Sequence, residues 1–593
     1  MRRISRTWPI VAGTALTIVA AVGVAGVDQP RAWAASSATV NGSTSYQTID
    51  GFGFSSAFGR ADLISSLPAA DQQTVLDLLY SPTTGAGNSI LRLGISSTGS
   101  SIQPTDPGGP NATPRYVWNG DDDGQVWLAK KAQSYGVSRF YADAWSAPGY
   151  MKTNGTENNG GTLCGLSGAS CASGDWRRAY ADYLVQYAKF YGQEGIKINE
   201  IGFTNEPDWT TSYSSMRFTP AQAAEFSRVL GPVADAAGFR AVCCDAVGWE
   251  GQRGYSAAIQ SDAEAARWVS VHTGHSYSSE PASPLASGGD PTWMSEWAPS
   301  TPTWNTSWDD GSTGSGFALA QKIHTALTGG NVSAYLYWYG VSSSNTAAFI
   351  QSDGTNYSVS KRLWAMGSYS RYIRPGATRI GASTSDGNLR LSAFRNTDGS
   401  VVVVALNAAG TATPVSYALQ NTGVTTGTAT PYLTGSSNSM TEQSPIAVGG
   451  GAFTATVPAR SLATYVIRPG EVTSPPPTTP PPTTPPTGSG CRVTYATNAW
   501  NTGLTASITI ANTGGAPVDG WSLGFTLPAG QRITAGWNAT YSPTSGQVTA
   551  RNASYNATIP AGGSVSIGFQ ADHTGDSGRP AAFTLNGTPC AVT

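Results

Sequence analysis

Residues 471–490, EVTSPPPTTPPPTTPPTGSG, constrain this chain of 593 residues more than any other stretch. Proline removes a backbone donor and fixes φ, so a Pro/Thr run of this kind builds no packed core and tends to an extended polyproline helix. The chain is therefore expected to fold as a large unit before the linker (470–490) and a smaller one of about 100 residues after it. The linker's stiffness would hold the two apart while letting both reach one surface.

The large unit carries its own pattern. Apolar, β-rich runs recur near 50–55, 89–95, 139–145, 200–204, 240–245, 268–273, 292–296 and 334–339, with amphipathic segments between most of them. In the segment 175–193, Tyr180, Tyr183, Leu184, Tyr187 and Tyr191 follow helical spacing, and Asp175 is expected to cap its start. Eight strands alternating with helices predict a (β/α)8 barrel over residues 50–370. An open doubly wound sheet is the alternative, disfavoured because no Gly-rich phosphate loop follows an early strand. From 371 to 469 the pattern becomes short alternating segments, Leu389–Phe394, Val401–Leu406 and Ala463–Ile467, between Gly, Asn and Asp turns. That predicts an associated antiparallel β-sandwich, to which residues 35–49 are expected to add a strand. Residues 491–593 have Thr/Val/Ile-rich runs, frequent Gly and no helical period, which predicts a separate all-β sandwich module.

The N-terminus reads as a cleaved secretory leader over residues 1–34. Arg2, Arg3 and Arg6 precede an apolar stretch from Ile10 to about Val27, and Ala32-Trp33-Ala34 has the form of a cleavage site. A membrane anchor is the alternative, since the stretch approaches spanning length. The mature protein is expected to be extracellular, monomeric and free of any membrane. Six cysteines agree with an oxidising destination. Cys491 and Cys590 bracket the last module and are expected to form a bridge tying its two ends, Cys164 and Cys171 flank a short Gly/Ser-rich loop that a second bridge would close, and the adjacent Cys243 and Cys244 leave bonded, free and buried states open. No paired Cys or His spacing suggests zinc, and neither metal nor organic cofactor is expected. Only 12% of residues are charged, about half the usual share, and the formal net charge is −2. That balance argues against nucleic acid and anionic membrane, and suits neutral, hydroxyl-rich ligands.

Two glutamates stand at strand ends, where a barrel places its active site. Glu206 follows the fourth strand in Gly202-Phe203-Thr204-Asn205-Glu206-Pro207, and Glu296 closes the seventh in Trp293-Met294-Ser295-Glu296-Trp297. A carboxylate at a strand end is usually a surface or salt-bridged residue. A pair flanked by aromatics, one in an Asn-Glu-Pro turn, instead points to glycosidic cleavage, which needs a proton for the leaving oxygen and a carboxylate to meet an oxocarbenium-like centre.

Residues 1–470 resemble glycoside hydrolase family 30, in particular its xylan-active subfamily 7. The resemblance is carried by IDGFGFSSAFGRAD (49–62), SILRLGIS (89–96), WSAPGYMKTNG (145–155), IGFTNEP (201–207), VHTGHSY (271–277), WMSEWAP (293–299) and AYLYWYG (334–340). It implies that Glu206 is the general acid/base and Glu296 the nucleophile, roughly 5–5.5 Å apart, with net retention through a covalent glycosyl-enzyme. Glu206 must then start protonated and Glu296 ionised. Arg92 would hold Glu296 ionised or serve as a structural salt bridge, and Asn205 would bond a sugar 2-hydroxyl. Tyr277 would reach Glu296 through its hydroxyl. Trp145, Trp297 and Trp338 would stack on sugar faces or fill the core, and His275 would be a hydrogen-bonding residue rather than a base. Arg60, after the first strand, is expected to read an acidic glucuronyl branch of xylan.

Residues 491–590 resemble a family 2 carbohydrate-binding module of the cellulose-binding type, through NAWNTG (498–503), VDGW (518–521), GWN (536–538), HTG (573–575) and LNGTPC (585–590). Cellulose offers a flat, uncharged face, which a row of exposed aromatics matches. Trp500 and Trp537 fall on two of the family's platform positions and Tyr555 on the third, while Trp521 is expected in the core. The expected partners are plant cell-wall polysaccharides, xylan as substrate and cellulose as anchor. Two readings compete with xylan cleavage: β-1,6-galactanase, β-1,6-glucanase or glucosylceramidase-like hydrolysis on the same fold, and a non-catalytic wall-binding protein.

Overall fold

The computed structural model describes residues 35–96, 101–301, 303–343, 346–470, 490–500 and 502–592, so the leader and almost all of the linker lie outside the described residues. Two compact units divide the chain near residue 473.

In the first unit eight parallel strands close into a barrel: β1 (Gly51–Ser55), β2 (Ile90–Ile95), β3 (Arg139–Ala144), β4 (Glu200–Gly202), β5 (Arg240–Ala246), β6 (Val269–His275), β7 (Thr292–Glu296) and β8 (Ala334–Ser342). β8 pairs with both β7 and β1, which completes the ring. These strands are buried on both faces, which is why they read as continuous apolar runs rather than alternating ones. Ile90, Tyr141, Val242, Val271, Trp293 and Leu336 fill the interior as a separate cluster. Below it, Arg139 joins Asp50 at 2.6 Å and Glu200 at 2.9 Å. The floor is thus closed by charge pairs, and the opposite, C-terminal end of the strands is left for chemistry.

Helices α1 (Ala69–Tyr80), α2 (Gln125–Ser134), α3 (Arg177–Gln193), α4 (Pro220–Ala236) and α5 (Trp249–Gln260) cover the outside of the first half. α4 begins with a reciprocal cap between Thr219 and Gln222 and Pro220 in its first turn, an arrangement that satisfies otherwise orphaned donors. α3 starts one residue later than Asp175 requires for an N-cap. Trp176 holds that position, and Asp175 instead accepts from the backbone of Arg177 and pairs with its guanidinium at 2.7 Å. The strand-helix alternation also has a gap: β6 runs to β7 through residues 276–291 without a helix. Among the described residues no helix is long and apolar enough to cross a membrane.

The strand Ser36–Thr48 lies in the sandwich sheet, antiparallel to Thr378–Thr384 and parallel to Thr413–Gln420. At the middle of that sheet Val401–Asn407 sits between Leu389–Arg395 and Ser461–Pro469. The second unit is all-β, with two five-stranded sheets around Val493, Ile508, Leu523, Phe525 and Phe569. Trp521 is in this core, its indole N–H donating to the Asn556 carbonyl at 2.7 Å. Cys491 is bonded to Cys590, Cys164 to Cys171, and Cys243 to Cys244.

Candidate active site

The C-terminal ends of the barrel strands gather a buried charge cluster beneath a cleft of about 600 Å³. Arg92, in the middle of β2, is its hub and is fully buried. Its guanidinium contacts a Glu296 oxygen, donates to Asp143 at 2.7 Å and to the Asn205 carbonyl oxygen at 2.6 Å, and stacks 4.8 Å from the Trp145 ring centre. Burial works against its charge, but Glu296, Asp245 and Asp143 outweigh that and hold it well above its ordinary range.

Glu296 ends β7 and is 4% exposed. One of its oxygens is held by Arg92 and the other accepts from the Tyr277 hydroxyl at 2.8 Å. Glu206 follows β4 and is more open to the cleft. Its φ of 49° lies in the left-handed region, as does that of Asp245 at 57°, and the Glu206 amide donates to the Asp245 carbonyl at 2.9 Å. Two non-glycine residues held this way at one site carry a strain of about 1–3 kcal/mol each, maintained by the packing around them.

His275 ends β6 and joins the two glutamates. Nδ1 lies 3.1 Å from a Glu206 oxygen, and Nε2 lies 3.3 Å from Asp245 and 3.7 Å from Glu296. Burial alone would discharge the ring. Attraction to Glu296 and bonds to Asp245 and Glu206 overcome it and push the pKa up to about 10. Asp245 also accepts from Thr273 at 2.6 Å and Ser295 at 2.5 Å. Its burial would raise its pKa, yet His275 and Arg92 hold the carboxylate well below the usual range. Oxygens of Glu206 and Glu296 and a nitrogen of His275 all fall within 4.8 Å of one another.

Phe58, Trp145, Trp338 and Tyr339 form one wall of the cleft, linked ring to ring at 5.0 Å, 5.7 Å and 4.1 Å. Arg60 lines the same wall, its guanidinium 4.7 Å from the Tyr339 ring centre, with Nε lacking a hydrogen-bond partner. Trp297 is not part of it. That side chain is 5% exposed and packs on Tyr337, with the Lys322 ammonium 4.5 Å over its ring, which withdraws it from sugar stacking. Asp143, Asp245, Phe58, Trp209, Tyr213 and Tyr339 belong to the site but escaped the sequence reading. For the two aspartates the signal was there: a lone carboxylate inside an apolar strand run, in FYADAW and CCDAVG, is too costly to bury without a partner.

In the second unit Trp537 is 43% exposed. The side chains of Trp500 and Tyr555 lie outside the described residues, so the expected platform is seen at one of its three positions.

Residues 49–287 match the glycosyl hydrolase family 30 TIM-barrel domain, residues 376–465 the family 30 beta sandwich domain, and residues 491–590 a cellulose binding domain. The chain is similar to the catalytic domain of a GH30 xylanase C from Talaromyces cellulolyticus, with 42% identity and a TM-score of 0.70 over 73% of this chain and all of that one. It is 26% identical over 450 residues to the glucuronoxylanase XynC of Bacillus subtilis strain 168, across 73% of this chain and 92% of that protein. The C-terminal module is 41% identical over 104 residues to part of Exoglucanase B of Cellulomonas fimi, covering 18% of this chain and 10% of that protein.

Proposed function

The chain belongs to glycosyl hydrolase family 30, and from that membership we propose that it is a secreted retaining hydrolase that cleaves the β-1,4-xylosidic bonds of xylan while its C-terminal module holds it on cellulose. The observation that carries this reading is the pair Glu206 and Glu296, with oxygens within 4.8 Å across one cleft. Carboxyl groups about 5–5.5 Å apart suit direct attack on the sugar, whereas inverting enzymes leave about 6.5–9.5 Å for a water.

In the first step Glu206 gives its proton to the leaving oxygen as Glu296 attacks C1, so the C1–O bond to the leaving sugar breaks and an ester to Glu296 forms. In the second, Glu206 takes a proton from water, the water oxygen bonds to C1, and Glu296 leaves as a carboxylate. The division of roles is supported by environment. Arg92 and Tyr277 each hold one oxygen of Glu296, which fixes the carboxyl group in place for attack. Glu206 is the more open of the two and lines the cleft, where a leaving group and a water can both reach it. Trp145 and Trp338 give the sugar a face to stack on. Asn205 keeps its amide nitrogen for a sugar hydroxyl, its oxygen being used by Arg92. Secretion is supported by the Cys164–Cys171 and Cys491–Cys590 bridges, which persist in oxidising compartments, and by a module whose ligand lies outside the cell.

Product profiling by mass spectrometry tests the reading. Glucuronoxylan and arabinoxylan are expected to release pentose oligomers, while β-1,6-galactan and β-1,6-glucan stay intact. Turnover of the hexose polymers alone would overturn the substrate, and turnover of none would leave a wall-binding protein.

A further inference from the structure

A second cavity, of about 420 Å³, lies where the barrel meets the sandwich. Its barrel side is built by the turn after α1, at Pro82 and Thr83, and by Arg371, Tyr372 and Arg374, which follow the helix Lys361–Ser370. Loops that lead from a helix into the next strand lie at the N-terminal end of a barrel, so this cavity and the cleft belong to opposite ends. The sandwich side brings Tyr432, from the strand Gly427–Thr434, and Arg468, from Ser461–Pro469. Such a volume is within the range of small-ligand sites, about 300–1,000 Å³.

The cavity is rich in charge for a chain so poor in it. Only 34 of 593 residues are Lys or Arg, yet three of the thirteen that line it are arginines. None of the three forms an ion pair among the described residues. Backbone carbonyls position two of them instead. Arg371 donates through Nε to Gly85 at 2.5 Å, and Arg374 donates through Nη1 to Gly87 at 2.7 Å and Ser370 at 2.9 Å. These bonds use one nitrogen of each fork and leave the others for a ligand. Burial lowers the Arg374 pKa from its ordinary range, with no carboxylate to offset it. Arg468 is exposed. Two carboxylates share the cavity. Asp398 accepts from the Ser400 hydroxyl at 2.6 Å and amide at 2.9 Å, and Glu442 is exposed, opposite Tyr432 in the strand register. Three guanidiniums against two carboxylates leave one positive charge. Tyr372 and Tyr432, stacked at 4.4 Å between ring centres, add apolar ring surface.

We propose that this cavity is a second carbohydrate site, which takes a carboxylated sugar: a uronic acid unit of an acidic wall polysaccharide. A guanidinium fork matches a carboxylate in two parallel bonds, and its weak hydration suits it to a partly buried place. A phosphate would meet the same forks, but Asp398 and Glu442 repel a dianion more than a single carboxylate, and the ring pair suits the apolar face of a pyranose. The proposal does not depend on which bond the cleft cuts. A site at the far end of the barrel would hold an acidic chain on the enzyme while another stretch of polymer occupies the cleft. A uronic acid can come as a branch on xylan or as the repeating unit of a pectic chain, and both present the same carboxylate.

Affinity electrophoresis of the full chain tests the site. E296Q with R60A is the common background, so that no polymer is cut and the cleft's own cation is absent. Mobility is followed in native low-salt gels holding glucuronoxylan, polygalacturonate or neutral arabinoxylan. R371Q/R468Q is expected to raise the dissociation constant for the acidic polymer about tenfold and to leave retardation by arabinoxylan unchanged. Added salt is expected to weaken the acidic interaction in the background chain. R468Q alone changes an exposed side chain, so it is expected to keep the thermal midpoint and, in the otherwise native chain, the rate on neutral xylan. Its affinity for the acidic polymer is expected to fall severalfold, which decides the matter even where the double variant misfolds. Retardation by glucuronoxylan alone assigns the xylan branch, and by polygalacturonate alone the pectic chain; either supports the site. Retardation of the background chain by neither acidic polymer overturns it. So does unchanged affinity for both in R468Q, or an equal loss on arabinoxylan.

Discussion

At His275 two opposed effects decide the charge, and the neighbours win. Glu206, Asp245 and Glu296 face the ring, and the net result is a folded pKa of about 10 against an ordinary 6.5. A value raised by folding stabilises the native state fully below the unfolded pKa, and the contribution is lost as pH climbs through the folded one. The stability gap between wild type and H275Q, measured by urea denaturation, is therefore expected to be constant below about pH 6.5 and to shrink towards pH 10. A gap that grows with pH would contradict the assigned charge. Arg60 offers a second single-residue prediction. Its guanidinium is stacked on Tyr339 and lines the cleft, so a glucuronyl carboxylate would meet a positioned cation. Charge-assisted bonds contribute about 1.5–3 kcal/mol, so R60A is expected to lower kcat/KM on glucuronoxylan by roughly tenfold or more. The loss on unbranched xylan is expected to stay within about twofold, and equal losses on both polymers would remove the branch-reading role.

Elements explain which parts of this site the sequence disclosed. The barrel strands were readable because burial on both faces writes an uninterrupted apolar run, and the glutamates were readable because Glu296 ends one such run and Glu206 follows another. For Trp297 the sequence left sugar stacking and core filling open, because adjacency to Glu296 does not fix the face of the chain it occupies; one residue beyond a strand end, its ring turns into the core around Tyr337. Trp209 and Tyr213 were invisible because irregular segments carry no period, and only burial separates an exposed ring from a core one. The helix missing between β6 and β7 was hidden for the same reason. The segment after β3 shows what such irregular elements rely on. Cys164 and Cys171 close a ring there that leads into α3, and loop-closure entropy gives about 2.5 kcal/mol for a ring of that size. C164S/C171S is expected to lose about that much stability in denaturant titration. An unchanged midpoint would mean that the surrounding hydrogen bonds hold the segment unaided.

At the scale of the whole molecule, two units with separate cores divide the work. The first holds every residue assigned to bond cleavage, and the second has a low-charge sheet surface with Trp537 exposed. W537A, or a chain ending at Gly470, is expected to lose retention on microcrystalline cellulose while hydrolysing soluble xylan at nearly the wild-type rate, as read by pull-down and reducing-sugar assay. Parallel loss of both activities would show that the units are not independent. The central claim is nevertheless about two carboxyl groups acting on one anomeric carbon, and proton NMR of the first products formed from xylohexaose tests it most directly. Double displacement through Glu296 predicts that the new reducing ends appear as the β-anomer and only later equilibrate with α; first appearance of the α-anomer would mean single-step inversion and would contradict the account.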